Sequence, residues 1–220
     1  MKRFFLLIFL TFSLIYQAQT AEQIIAKNLE ITGGVYGWKV LQSLVIKGNT
    51  VLGVNEEYPT EIYQQRPNLT KTLMTLQGKK IMLNGYNGKK AVQFDFQAGK
   101  LNTNPDYVPE SFESDLLDFI NKGFQAVLME NETVNGTNCF KVQLSKNQSV
   151  TTYYFDSKTY QLVREENSER NTYYSDFKKV SGLVFPFRIE EKSTDGEENF
   201  TLIINSIEIN PVIPAKVFDF

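Results

Sequence analysis

Hydrophobic positions change period once near the start of this chain and then alternate for most of its length. From Ala21 to about Ile31, the apolar residues Ile24, Ile25 and Leu29 recur at helical spacing, and Thr20 with Gln23 has the spacing of a capping box just ahead of them. Gly33-Gly34 can take the left-handed conformation that closes a helix. The period then falls to two. It predicts strands over Val40 to Gly48, Val51 to Gln65, Thr70 to Gln77, Lys80 to Leu83 and Ala91 to Phe96, with turns at Asn84-Gly85 and Asn87-Gly88. Gly99 to Pro109 reads as a polar loop rich in Asn and Pro. Next, Glu110 to Lys122 carries Phe112, Leu116, Phe119 and Ile120 at helical spacing, with Glu110, Glu113 and Asp115 where a helix dipole favours anions. This predicts a second helix, lying across a sheet.

Alternation resumes over Val127 to Val134, Cys139 to Leu144, Thr151 to Asp156, Leu162 to Asn167, Asn171 to Val180, Leu183 to Ser193 and Asn199 to Asn210. Asn135-Gly136 and Asp195-Gly196 are hairpin signals. The short connections are those of antiparallel neighbours, because parallel strands need long crossovers. The expected class is mainly β (α+β), a single antiparallel sheet of about eleven or twelve strands with two helices. No internal repeat and no long linker argues for a second domain.

The first residues read as an address. Lys2 and Arg3 form a basic start and Phe4 to Tyr16 an apolar run, shorter than the roughly 20 residues a membrane span needs. We expect a secretory signal over 1–18, cut after Ala18, and a folded domain over 19–220. No cysteine follows the apolar run, so no lipobox is expected, and the mature chain should be soluble and exported. Losing Lys2 and Arg3 takes the formal charge from −2 to −4. A mildly acidic chain without a basic run is a poor partner for nucleic acid or anionic membrane.

Several chemistries lack their residues. Histidine is absent and cysteine occurs once, which removes the usual general base, the usual zinc sites and the serine–histidine pair. Cys139 reads as a buried strand residue. Two carboxylate pairs remain, Asp115 with Asp118 and Glu165 with Glu166; the first is expected to face outward, and the second to lie on opposite strand faces. No glycine-rich phosphate loop joins a strand to a helix. The inventory favours binding over catalysis, with no cofactor and no metal.

Seventeen Phe and eleven Tyr fit either an ordinary core or a sheet face too apolar for two helices to cover. In the second case the candidate lining is Met74, Leu76, Phe94 and Phe96 from the early strands, Phe112, Leu116 and Phe119 from the second helix, and Phe185 and Phe187 from a late strand. Arg66, at a strand end, is either a surface residue paired with a carboxylate or a gate over that lining.

The order of a strand, Arg66-Pro67-Asn68-Leu69, strands such as Thr72 to Leu76 and Lys80 to Leu83, then Asn87-Gly88-Lys89 before an aromatic strand, resembles the LolA-like periplasmic lipoprotein carriers. The likeness extends more weakly over the mature chain to Pro214-Ala215-Lys216-Val217-Phe218. The resemblance implies an unclosed β-barrel with helices plugging its mouth over a hydrophobic cavity. It implies a carrier of lipoprotein acyl chains, or of a related lipid, from an inner-membrane exporter to an outer-membrane receptor, acting as a monomer. Arg66 would match the arginine that tethers the helical lid through backbone carbonyls. The chain departs from the familiar carriers in a longer N-terminal hairpin and in Tyr/Asn-rich strands from Tyr153 to Tyr174, which leaves the cargo open. A sensor of the same fold, binding a membrane-protein partner, is the other reading. Burying one methylene contributes about 0.8 kcal/mol, so sheltering about ten gives ~8 kcal/mol, close to micromolar affinity. A lid that opens is therefore expected of a carrier.

Overall fold

The computed structural model describes residues 19–53, 56–109, 111–194, 196 and 199–220. The expected leader with its cut after Ala18, Glu110 of the expected second helix, and Asp195 of the expected Asp195-Gly196 turn lie outside the described residues.

Two helices lead, α1 (Ala21–Ile31) and α2 (Gly34–Val40). The capping box holds: Gln23 N–H donates to Thr20 Oγ1, and Thr20 N–H to Gln23 Oε1. Gly33 follows α1 at φ 130°, and a Cβ there would stand 2.5 Å from Leu183 Cδ2. The glycine pair thus ends one helix and lets a second begin. The strand expected from Val40 consequently starts only at Ser43.

Among the described residues thirteen strands follow: β1 (Ser43–Leu52), β2 (Glu56–Gln65), β3 (Leu69–Leu76), β4 (Lys79–Tyr86), β5 (Ala91–Asp95), β6 (Lys100–Thr103), β7 (Gln125–Val134), β8 (Thr137–Lys146), β9 (Ser149–Asp156), β10 (Leu162–Glu166), β11 (Arg170–Val180), β12 (Leu183–Ser193) and β13 (Asn199–Ile209). All belong to one antiparallel sheet, in the order β6-β5-β4-β3-β2-β1-β13-β12-β11-β10-β9-β8-β7, not closed into a barrel. The chain builds outward from β1 to one edge, crosses to the other edge, and returns strand by strand until β13 pairs with β1. Residues 104–124 make that crossing.

Four expectations need correction. Asn49 and Thr50 lie inside β1, and the break with β2 falls at Gly53, which has positive φ. Asn84-Gly85 lies inside β4, where a Cβ on Gly85 would crowd Thr70 O at 2.8 Å, and only Asn87-Gly88 turns the chain. The polar loop contains the short edge strand β6, which brings the count to thirteen. The expected second helix is the fourth: the described residues 111–124 are a run of turns. Ser114 Oγ accepts from Leu116 N–H, and Asp118 and Gly123 both have positive φ, so local bonds replace the helical ladder. The apolar spacing serves burial only in part: Leu116 and Phe119 are buried, with Leu117 beside them, while Ile120 is exposed.

The side of the sheet that meets the helices is its inner face, and two apolar cores share it. In one, Ile24 and Ile25 of α1 and Leu116 and Phe119 of the crossing pack on Val142, Leu144, Tyr153 and Phe155 of β8 and β9. In the other, Leu41 and Leu44 pack with Leu183, Phe185 and Phe187 of β12 and with β13, and Trp38 of α2 adds its ring edge-on to Phe185 at 5.3 Å. Cys139 is buried on the outer face with Val134 and Tyr154, and burial pushes its thiol pKa up. Such a thiol is poorly suited to nucleophilic work.

Candidate functional site

Where the crossing segment and the helices stand off the sheet, they leave a cavity of about 790 Å³. Its walls come from α1 and α2 (Leu29, Trp38), the crossing (Phe112, Leu116, Leu117, Phe124) and the sheet (Leu44, Leu162, Phe177). These side chains are mostly apolar, and the volume falls in the range of about 300–1,000 Å³ usual for small-molecule pockets.

Arg66, the last residue before the Pro67 bend, joins three pieces of the lid. Its Nε donates to Leu41 O at 2.6 Å, one Nη donates to Trp38 O at 3.1 Å, and the other pairs with Glu113 Oε2 at 2.5 Å. The guanidinium also stands 5.1 Å from the centre of the Phe112 ring. Arg66 N–H donates to Gln42 O, and Phe112 N–H to Pro67 O. One strand end therefore holds the C-terminal carbonyls of α2 and the start of the crossing together. Lys122 donates to Ser114 O at 2.9 Å and stands 3.6 Å from Glu113 Oε1, while Lys39 of α2 meets Asp118 at 3.4 Å. Arg66 and Glu113 are 24 % and 22 % exposed, so water screens their pairing only in part.

The nine expected lining residues divide. Phe112 and Leu116 border the cavity. Phe119, Phe185 and Phe187 lie in the two cores beside it, with their rings committed to packing. Met74 and Leu76 share the inner face but lie on β3, away from the cavity walls, and Met74 is buried. Phe94 is on the other side. Its neighbour Gln93 pairs with Asn84, Asn84 with Thr72, Thr72 with Ile62 and Ile62 with Ile46, which puts Gln93 inward and Phe94 outward. Phe96 is 65 % exposed and touches Phe94 ring to ring. Neither borders the cavity.

Sequence reasoning passed over Trp38, which lies between the expected helix and the expected strand, over Leu41, which lies inside the strand expected from Val40, and over a polar pole in the cavity. Glu165 of β10 pairs in register with Tyr153 of β9, and Tyr174 Oη of β11 donates to Glu165 Oε2 at 3.2 Å. Asp115 borders the same cavity from the crossing. The expectation that Asp115 faces outward with Asp118 is thus half corrected: Asp118 meets Lys39 outside, and Asp115 lines the interior. Glu165 and Glu166 do lie on opposite faces, Glu166 accepting from Tyr154 Oη at 2.6 Å on the outer side. Burial, then the Glu165 charge, pushes both the Tyr153 and Tyr174 phenols up. Both remain protonated donors near neutral pH.

A single unclosed antiparallel sheet with helices over one face and a cavity beneath them defines an architecture shared with proteins of the LolA superfamily. No protein-family profile and no curated protein matches the sequence. Three solved structures show the likeness in fold. A LolA superfamily protein from Nitrosomonas europaea is 15 % identical, with a TM-score of 0.57 over 92 % of this chain and 99 % of that one. A putative outer membrane lipoprotein-sorting protein domain from Vibrio parahaemolyticus is 9 % identical, TM-score 0.55, covering 89 % and 97 %. A DUF1329 family protein from Desulfovibrio piger is 10 % identical, TM-score 0.57, covering 92 % and 98 %.

Proposed function

We propose that this chain is a periplasmic carrier, exported through a leader in residues 1–18, that shelters the acyl chains of a lipoprotein or related lipid on the way to the outer membrane. The observation that supports this most is the cavity of about 790 Å³, with an apolar wall and bordered by a lid that Arg66 ties at two carbonyls and a carboxylate. An apolar wall gains from hydrocarbon burial, and a lid held by a few polar bonds can release what the wall holds. In this reading the protein is not an enzyme, and it meets an inner-membrane exporter and an outer-membrane receptor in turn. Arg66 is then the latch, and Phe112 and Leu116 line the bound chain.

The test is displacement. A fluorescent acyl-chain probe with an uncharged head should bind purified protein near micromolar affinity, and a diacyl lipopeptide should compete it off. Absence of competition overturns the carrier reading. Mass spectrometry of apolar material that copurifies should identify the cargo class directly.

A further inference from the structure

An unclosed sheet has two free edges, and here they differ. β6 is four residues long, exposed throughout, and begins with Lys100. Short length and an edge lysine are usual protections against pairing with another strand. β7 is ten residues long, and its first five, Gln125-Ala126-Val127-Leu128-Met129, carry neither charge nor proline. Ala126 and Leu128 pack on the inner core, while Val127 and Met129 are 49 % and 42 % exposed on the outer side, Met129 opposite Lys141. In the sheet this run pairs with β8 alone, and among the described residues no backbone bond reaches it from the other side.

A row of unpaired N–H and C=O groups beside exposed apolar side chains takes an extended strand. The residues on this edge fit a second copy of the same strand. Set antiparallel with Val127 on the two-fold axis, Gln125 meets Met129 and Ala126 meets Leu128, so no charge is buried. The same register carries Glu130 of each copy to Phe124 of the other. Lys146 stands over that ring, its ammonium 5.3 Å from the centre. Among the described residues the side chains of Glu130 and Lys146 have no ion-pair partner, and the two-fold supplies one to each. The register shift between Met129 and Glu132 ends the pairing beyond the uncharged run. An edge that pairs with itself closes as a dimer, whereas β7 on β6 would propagate into a filament.

We propose that β7 is a homodimer edge, joining two copies through residues 125–129 into one continuous sheet, with Glu130 of each copy against Lys146 of the other. Because Lys146 and Phe124 border the cavity, the second copy's Glu130 stands at its rim. The inference goes beyond the carrier reading and does not depend on it.

Sedimentation equilibrium on purified residues 19–220 should show a dimer at about 100 µM that dissociates on dilution. Val127→Lys sets two ammonium groups face to face on the axis and should raise the dissociation constant at least tenfold, with an unfolding midpoint near that of wild type. Glu130→Lys and Lys146→Glu should each weaken the dimer at least threefold, and the double variant should return to within twofold of wild type. A monomer at that concentration overturns the proposal. So does a series of species growing past the dimer, the mark of β7 on β6, and so does a dimer that folded Val127→Lys leaves unchanged. Single charge variants without effect, or a double variant that does not recover, overturn it as well. Should Val127→Lys fail to fold, the charge exchange decides alone.

Discussion

The two halves of the sheet have the same topology and inner faces of different composition, one richer in hydroxyl and amide side chains than the other. From β8 to β12 that face presents Phe140, Val142, Leu144, Tyr153, Phe155, Leu162, Phe185 and Phe187. From β2 to β5 the register brings Thr60, Gln64, Thr70, Thr72, Asn84 and Gln93 to the same side, with Ile62, Met74 and Leu76 as apolar positions between them. Thr50 and Thr60 even pair their hydroxyls at 2.8 Å in a buried position. Threonine is as good a strand former as valine, so alternation and β-propensity are satisfied in both halves. Only the apolar half carries α1, while the crossing touches both, with Tyr107 against Tyr86 and Asn104 N–H donating to Ala91 O. The sheet therefore works as a wide scaffold with its cavity set to one side, and breadth of sheet is a poor guide to the extent of the site.

The largest effect should come from removing packing on the apolar half. Ile24 of α1 is fully buried against β8 and β9, so Ile24→Ala should cost about 2–5 kcal/mol, transfer loss plus cavity. Thr72→Val on the other half should stay within about 0.5 kcal/mol. Chemical denaturation reads both as shifts in midpoint. Comparable shifts would show that the polar half is as tightly packed as the other, and the contrast would be lost.

Arg66 comes next, since it spans the halves: it ends β2 of the polar half and ties down the lid over the apolar one. Arg66→Leu removes hydrogen bonds to Leu41 O and Trp38 O and leaves Glu113 with Lys122 alone. Loss of charge-assisted bonds of this kind costs about 1.5–3 kcal/mol. In the carrier reading the cost falls on the closed lid, so bound probe should exchange about tenfold or more faster while the cooperative unfolding transition is retained. Stopped-flow exchange at the wild-type rate would reduce Arg66 to a structural strand end.

The same contrast explains what could be read from residues alone. Alternation located nearly every strand, and the capping box located α1, because both depend on neighbours a few residues apart. Arg66-Pro67 drew attention for the same local reason. The helix expected over 110–122 failed because Ser114 and Asp118 redirect the backbone while Leu116 and Phe119 keep their burial. A run of turns can bury part of a helical apolar spacing, and it leaves Ile120 exposed. Phe94 was misplaced for a subtler reason. Its strand alternates cleanly, but which side is inward follows from cross-strand register through β4 and β3, and the β3–β4 pairing shifts register between Thr72 and Leu73. The acid and phenols at Tyr153, Glu165 and Tyr174 are separated in sequence and meet only through strand pairing.

The smallest effect belongs to the outer face of the polar half. Lys80 Nζ donates to Glu61 Oε1 at 2.7 Å and Tyr63 Oη to Oε2 at 2.8 Å. The Lys80 bond, joined by that of Tyr63, holds the Glu61 carboxyl below its ordinary value despite partial burial. A carboxyl whose folded pKa is depressed adds stability that is complete above the unfolded value of about 4.3. That contribution disappears as pH falls through the lower folded value. Glu61→Gln should therefore be less stable than wild type by about 0.2–1 kcal/mol at neutral pH, and the two should converge in acid. If the gap is instead unchanged at low pH, Glu61 contributes through packing and not through its charge. Such a result would mean that the polar half, inside and out, is held by hydrogen-bonded side chains with little help from ionisation.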